Sequence, residues 1–249
     1  MKIYVIIPAR SGSKGVPNKN IRKINGKELI GYSIEFAKRL QVDKIICSTD
    51  SAEYAEIAKK YGAEVPFLRS EYASSDTAKD EDVLKDVYDK FDEHNIEYPD
   101  LWVWLRPTFI FRDLDAVKEC IDRMKKDKNL TACRIVTEAE SRIYSDEGGL
   151  LKPNFDDKGL STIPRQSIRK TYRVFNTDVF RGKPRNDGKY FLGGNVGYVE
   201  VHKICALDID DEADFLIVSR VAESLSDEDK QKYRNVINSF TPPAWEFDN

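Results

Sequence analysis

Short apolar runs and helical periodicities alternate from the start of the chain to about residue 137. Residues 3–7, IYVII, carry no charged position, as expected of a strand covered on both faces. Ile30, Ile34 and Ala37 recur at helical spacing, and KIICS at residues 44–48 reads as the next strand. Tyr54, Ile57, Ala58 and Tyr61 fall at i, i+3, i+4 and i+7, one face of a helix. Val83, Leu84, Val87, Tyr88 and Phe91 repeat that stripe. LWVWL at residues 101–105 predicts another buried strand, Leu114, Val117, Ile121 and Met124 another helix, and TACRIV at 131–136 a further strand. This rhythm predicts an α/β fold, a mostly parallel, doubly wound sheet with helices on both faces.

The rhythm breaks near Glu138. From there to about Tyr190 the chain is polar and rich in Gly, Pro, Asn, Asp and Arg. A disordered loop, a long lid, or a small insertion with its own β-hairpins would each fit. Fifty structureless residues are uncommon inside a compact domain, so an ordered excursion that packs on something, a second subunit included, is expected. VGYVEV at 196–201 resumes the strand pattern, and Phe215, Val218, Ala222 and Leu225 mark a last helix. The tail, with Pro242 and Pro243, is expected on the surface. The division is therefore one α/β domain formed by residues 1–137 and 191–249, interrupted by an insertion at 138–190.

The 249 residues suffice for a sizeable core, and the 41% hydrophobic and 33% charged content is that of a soluble globular protein. The net charge of −3 lacks the basic surplus of a nucleic-acid binder, so no nucleic-acid partner is expected. Met1 leads within two residues into a strand pattern, which leaves no room for a signal peptide. No apolar run approaches the roughly 20 residues of a membrane span, so a cytoplasmic protein without membrane contact is expected. Cys47, Cys120, Cys133 and Cys205 are scattered, with no CxxC spacing, and read as reduced core thiols.

Candidate chemistry begins after the first strand. Residues 6–20, IIPARSGSKGVPNKN, occupy the first βα turn, where parallel sheets bind ligands. Gly12 and Gly15 let backbone N–H groups approach an anion. Ser11 and Ser13 add hydroxyl donors, and Arg10, Lys14 and Lys19 add positive charge for phosphate oxygens. The loop is not a Walker A motif, because Pro17 stands five residues after Gly12. Nor is it the dinucleotide fingerprint, because Lys14 stands two after it, which disfavours an oxidoreductase. A phosphate cradle and a solvated surface loop both fit this composition.

LDIDDEADF at residues 207–215 is the second site. Asp208 and Asp210 flank Ile209, and residues two apart on an extended segment point the same way. Two such carboxylates suit Mg²⁺, which takes few protein oxygens and completes its shell from water and phosphate. Asp211 to Asp214 also suit a helix N-cap and first turn. The two histidines, His94 and His202, read as structural or solvated groups.

These residues carry a family resemblance. IPARSGSKGVPNKNIRKINGKELIGYSI resembles the N-terminal signature of the sialic acid cytidylyltransferases, CMP-sugar synthetases that act on nine-carbon and related 2-keto acids. STD at 48–50 and VPFLRSEYASSDTA at 65–78 resemble the second block, and LRPT at 105–108 with Arg112 stands for a Leu-Gln-Pro-Thr run ending in Arg. PRQ at 164–166 resembles a motif of the dimerisation segment, and LDIDDEADF stands for the Asp-Ile-Asp metal motif. The resemblance spans roughly residues 3–225, with the blocks in order.

It implies a Rossmann-like, nucleotidyltransferase-type fold with a small inserted dimerisation segment, and a homodimer. It implies that CTP and a 2-keto sugar acid yield CMP-sugar and pyrophosphate with Mg²⁺. Arg10, Ser11, Gly12, Ser13 and Lys14 would hold the nucleotide together with Lys19, and Asn20 would lie near the ribose. Arg69 with Ser75, Asp76 and Thr77 would shape the cytidine pocket. Arg10, Lys19 and Asp210 would be catalytic, and Asp208 and Asp210 would bind the metal. Arg106, Thr108, Arg112, Arg165 and Gln166 would face the sugar, Arg165 reaching toward a partner's site.

Three departures from the pattern gather at the expected sugar end. Arg106 replaces the usual Gln, FIF at 109–111 replaces a Ser-Pro-Leu type run, and NTDVF at 176–180 replaces an Asn-Gly start. An acceptor other than ordinary N-acetylneuraminate, such as a legionaminate-like diamino sugar, is therefore expected. A nucleotidyltransferase for another nucleotide or sugar, and a non-catalytic nucleotide-binding homologue, are the alternatives.

Overall fold

A computed structural model of the chain describes residues 1–156, 158, 163–183, 191–226 and 228–229. The expected surface position of Pro242 and Pro243 lies outside the described residues. Strand β1 (Ile3–Pro8) leads through the glycine-rich loop into a ribbon of β2 (Lys23–Ile24) and β3 (Lys27–Glu28), then helix α1 (Leu29–Arg39). Next come β4 (Lys44–Ser48), α2 (Ala52–Tyr61), the single turn α3 (Glu71–Ser74), α4 (Asp80–Glu93), β5 (Leu101–Leu105), α5 (Leu114–Lys126) and β6 (Ala132–Glu138). A hairpin of β7 (Tyr144–Asp146) and β8 (Leu151–Pro153) follows. Short β9 (Tyr172–Arg173), β10 (Thr177–Arg181), β11 (Val196–Val201) and α6 (Glu212–Ser224) complete the described elements.

Seven strands form the main sheet in the order β11-β6-β10-β5-β1-β4, with β9 added to β6. β4, β1 and β5 run parallel, as do β11 and β6, while β10 lies antiparallel between β5 and β6. The all-apolar runs become inner strands because both faces are covered. One face packs Val5, Ile7 and Val103 against Ile34, Ala58 and Cys120 of α1, α2 and α5. The other packs Tyr4, Trp102 and Trp104 against Leu84, Val87 and Phe91 of α4. A third cluster joins Val16 and Ile24 to Ile209, Val218 and Ala222, so α6 closes over the loop that follows β1. Serine side chains cap α2 and α3, accepting from Tyr54 N and Ala73 N, and Gly62 ends α2 in the left-handed region at φ 93°.

One expectation needs correction. Residues 138–190 do not all leave the sheet, because β10 runs through its middle. Val179 and Phe180 are buried on opposite faces, and Asp178 between Thr177 and Val179 is also buried. A carboxylate inside a central strand reads as a loop residue in a sequence, since such burial holds only when charges pair with it. The pairing arginines lie far away along the chain. Among its described residues the excursion contains the β7–β8 hairpin. Among the described residues no helix is long and apolar enough to cross a membrane.

The histidines are structural. His94 closes α4, its Nδ1 2.9 Å from the Lys90 carbonyl, and His202 Nδ1 accepts from Ile204 N. All four cysteines are free and buried.

Candidate active site

β1 is a switch point: the chain leaves it for β4 on one side and later returns to β5 on the other. Such a point opens a crevice at the carboxyl ends of the strands, and the loops after β1 and β5 meet there. The loop after β1 is held by its own contacts. Asp50, just past β4, accepts from Ser11 N and Ser11 Oγ, both at 2.7 Å. Burial pushes the Asp50 carboxyl up, but these two donors outweigh it and the net direction is below the ordinary carboxylate value. Buried Asn20 donates to the Arg10 carbonyl at 3.0 Å. Gly12 sits at φ +63°, which a side chain tolerates poorly.

Gly15 shows why the loop needs a residue without Cβ. A Cβ there would stand 2.2 Å from the Asp210 carbonyl oxygen. The loop is thus pressed against the acidic motif from the far end of the chain. Lys19 completes the junction: its Nζ donates to the Ile209 carbonyl at 2.8 Å and lies 3.9 Å from Asp210 Oδ1. The side chain of Lys19 is only 14% exposed, whereas that of Asp210 is 74% exposed.

Of the two roles foreseen for the acidic stretch, the structure shows the capping one. Asp211 caps α6 and exchanges a capping box with Asp214. Asp208 and Asp210 precede it, on either side of buried Ile209. Burial raises the Asp208 carboxyl pKa, as does the nearby Asp210 charge, while the Thr108 hydroxyl and Arg173 oppose that shift. Arg173 Nη2 is 3.6 Å from Asp208 Oδ2. Among the described residues no three His, Cys, Asp or Glu gather into a larger ligand set. A partly buried and an exposed carboxylate beside a phosphate-type loop fit Mg²⁺, which accepts few protein oxygens.

Arg10, Ser13, Lys19, Asn20, Arg69, Ser75, Arg106 and Thr108 line one cavity of about 240 Å³, together with Lys79 and Asp80. Arg69 is buried, donates to Ser48 Oγ at 3.0 Å and to the Ser48 carbonyl at 2.6 Å, and burial brings its guanidinium down to about 10. Asp76 is engaged by two cations of the loop, Arg10 Nη1 at 2.8 Å and Lys14 Nζ at 2.5 Å. The Ser75 and Thr77 hydroxyls are 3.4 Å apart.

Arg106 and Arg112, both expected to face the sugar, are engaged within the protein. Arg106 is not a waiting cation: it bonds Asp80, Asp178 Oδ2 at 2.9 Å and the Phe175 carbonyl at 3.1 Å. Arg134 Nε reaches Asp178 Oδ1 at 2.6 Å. Arg112 is fully buried, donates to the Arg106 carbonyl, and is brought down to about 9 by burial. It therefore stands behind the cleft wall and does not face an open cavity. Phe109, Ile110 and Phe111 are core residues too, so the FIF run sits in the interior. Gln166 lies in a separate depression with Glu138, Ser141, Ile168 and Lys170. Arg165 belongs to the 3₁₀ turn Arg165–Ser167, and its side chain lies outside the described residues.

The match to known proteins follows the same geometry. The family model described as "Cytidylyltransferase" matches residues 4–167, from β1 to the end of that turn. The chain belongs to the cytidylyltransferase family. This cytidylyltransferase is 34% identical to post-translational flagellin modification protein B of Campylobacter coli, over 87% of the chain and 93% of that protein. It is 30% identical to an N-acylneuraminate cytidylyltransferase of Escherichia coli over its whole length, which spans 58% of that relative. Over 61% of the chain and 67% of the relative it is 36% identical to a CMP-N,N'-diacetyllegionaminic acid synthase of Legionella pneumophila. Among solved structures, a CMP:2-keto-3-deoxy-manno-octonic acid synthetase complexed with CTP superposes with a TM-score of 0.63. The superposition covers 90% of this chain and all of that one at 16% identity, a likeness of fold.

Several groups that build this cytidylyltransferase's cleft escape sequence reasoning: Asp80, Arg134, Arg173 and Asp178. Arg134, Arg173 and Asp178 are isolated charges in unremarkable contexts, and Asp80 is one of the first-turn acids of α4. Asp50 closes the quoted STD run but carried no assigned role.

Proposed function

We propose that this cytidylyltransferase joins CTP to a 2-keto sugar acid of the nonulosonic class, giving the CMP-sugar and pyrophosphate. The observation that carries this reading is the junction of Lys19 with Ile209 and Asp210, which brings the phosphate-type loop and the paired acids into one cleft. The names of the relatives in Escherichia and Legionella support the nucleotide and the acceptor class.

In the reaction the anomeric hydroxyl oxygen attacks the α-phosphorus and gives up its proton to solvent, the bond from that phosphorus to the β-phosphate bridge oxygen breaks, and pyrophosphate leaves with that electron pair. Negative charge grows on the phosphate oxygens, so fixed positive charge lowers the barrier. Arg10 and Lys14, with backbone N–H groups near Gly12 and Ser13, hold the triphosphate. Lys19 stabilises charge near the α-phosphate. Arg69, Ser75, Asp76 and Thr77 enclose the cytosine, and Asn20 stands near the ribose. Thr108 and Arg106 border the acceptor. Asp208 and Asp210 would hold Mg²⁺, which supplies Lewis-acid charge neutralisation when bound.

The same reading includes a cytoplasmic homodimer. Arg165 and Gln166 belong to an excursion whose Ile143, Leu150 and Leu151 are exposed, as suits a surface covered by a second copy. They would then serve the partner's cleft. The test is CTP-dependent pyrophosphate release against a panel of nucleotides and 2-keto sugar acids, with Asp210→Ala as control. Release with CTP and a nonulosonic acid, lost in the variant, is the expected result. Release with another nucleotide, or none at all, overturns it.

A further inference from the structure

Phe175 is the most strained large side chain beside the cleft. Its φ is +92°, in a region that bulky residues avoid, yet the residue is 51% exposed. Strain of this kind persists only where the surroundings over-determine the backbone, and it gathers at functional sites. Here the surroundings do so. Next in the chain, Asn176 donates to the carbonyls of Phe111 at 2.9 Å and Cys205 at 2.7 Å. Two residues earlier Arg173 pairs with Asp208, and the Phe175 carbonyl itself accepts from Arg106. The segment is pinned from the acidic motif to the cleft wall, and the ring is held outward at that place.

The ring has specific company. The guanidinium groups of Arg106 and Arg134 each stand 5.3 Å from its centroid. Both arginines bond Asp178, and Arg106 also bonds Asp80. Two positive and two negative charges thus balance, so the cluster has no surplus with which to bind the acceptor's carboxylate. It offers an apolar ring edged by N–H donors. That surface suits a neutral substituent that is half apolar and half hydrogen-bond acceptor. An acylamino group has this form, its methyl lying on the ring and its carbonyl oxygen accepting from a guanidinium. A hydroxyl supplies no apolar half.

We propose that Phe175, held between Arg106 and Arg134, is the residue by which the enzyme selects an acceptor carrying an acylamino group where a common sialic acid carries hydroxyl. This rests on the cytidylyl-transfer reading above and specifies its acceptor. It makes Phe175 a specificity residue for the sugar, without a role toward CTP.

The test uses the full chain and initial rates of pyrophosphate release. Two acceptors are compared, a di-N-acylated nonulosonic acid and N-acetylneuraminate. The wild type is expected to favour the diacylated sugar. Phe175→Ala is expected to lose about tenfold of that preference, the usual worth of a small apolar contact in a pocket, with KM for CTP unchanged. Phe175→Gly is expected to lose the same preference while melting above Phe175→Ala, because glycine relieves the backbone strain. A preference left intact in both variants overturns the proposal, as does a wild type that favours N-acetylneuraminate. A rise in KM for CTP matching the acceptor effect would show a structural role and overturns it too. A wild type that turns over no sugar acid defeats the transfer reading itself, and the assignment of Phe175 falls with it.

Discussion

Lys19 donates to the carbonyl of Ile209 across 190 residues of chain, at 2.8 Å. The contact ties the first loop of the sheet to the acids that precede the last described helix. Replacing Lys19 with Met keeps much of the buried stem and removes the charge and the donor. Turnover is expected to fall by about 10²–10³, the usual loss of one positioned transition-state donor. The melting temperature should fall only slightly. Steady-state rates beside a thermal melt check both expectations.

Gly15→Ala tests the same junction without touching a charge. The new Cβ would meet backbone, the Asp210 carbonyl, at 2.2 Å, and no flexible side chain stands there to yield. The loop and the acids must move apart. A stability loss of about 1–3 kcal/mol is expected, with turnover reduced further than stability explains. By contrast, Gly12→Ala meets nothing within 4 Å and should cost only the strain of its positive φ, about 1 kcal/mol. Urea denaturation and rate measurements on the two variants separate contact from strain.

These contacts mark the limit of what the sequence discloses. The helices α1, α2, α4 and α5 and the strands β1, β4, β5, β6 and β11 are legible because one pattern repeats within each segment. The glycine-rich loop is legible because its donors are contiguous. β10 is not, because Asp178 interrupts it and is neutralised by Arg106 and Arg134, 72 and 44 residues away. Arg106 could be singled out as a departure, but its engagement with Asp80 and Asp178 exists only in three dimensions. The FIF run resembled a change at the sugar end because it follows the LRPT segment, yet its side chains turn into the core.

Asp76 occupies the two cations that the proposed reading gives to a triphosphate. Arg10 and Lys14 both pair with it, and their bonds hold its carboxyl below the usual carboxylate range. Asp76→Asn should release both cations, and affinity for inorganic pyrophosphate should rise a few-fold at low salt. The gain should shrink at high salt, where exposed pairs are screened. Equilibrium dialysis at two ionic strengths measures it. Weaker binding in the variant would mean that Asp76 serves the ligand and does not compete with it.

Acid should loosen the loop through Asp50. Its folded pKa lies below the ordinary value, so it contributes stability that is present above about pH 4, the unfolded carboxylate value. That contribution drains as pH falls through the lower folded value. Asp50→Asn keeps the shape and removes the charge. The wild type should melt above the variant at neutral pH, and the two curves should converge as the medium is acidified. Thermal melts across a pH series check this.

Arg112 is expected to act through packing and position. Its side chain is fully buried, it donates to the Arg106 carbonyl, and its Nε and Nη1 make no hydrogen bond among the described residues. A buried cation with incomplete partners is costly, and a well-packed apolar replacement can be neutral or better. Arg112→Met fills most of the same volume, while Arg112→Ala opens a cavity and leaves the Arg106 carbonyl with the Phe109 N–H at 3.2 Å. Arg112→Ala should therefore lose about 2–4 kcal/mol, and Arg112→Met much less, as read by chemical denaturation. In kinetics both variants should raise KM for the acceptor more than KM for CTP, because the carbonyl that loses this donor belongs to Arg106, the residue proposed to border the acceptor. Equal effects on both substrates would remove Arg112 from the acceptor side.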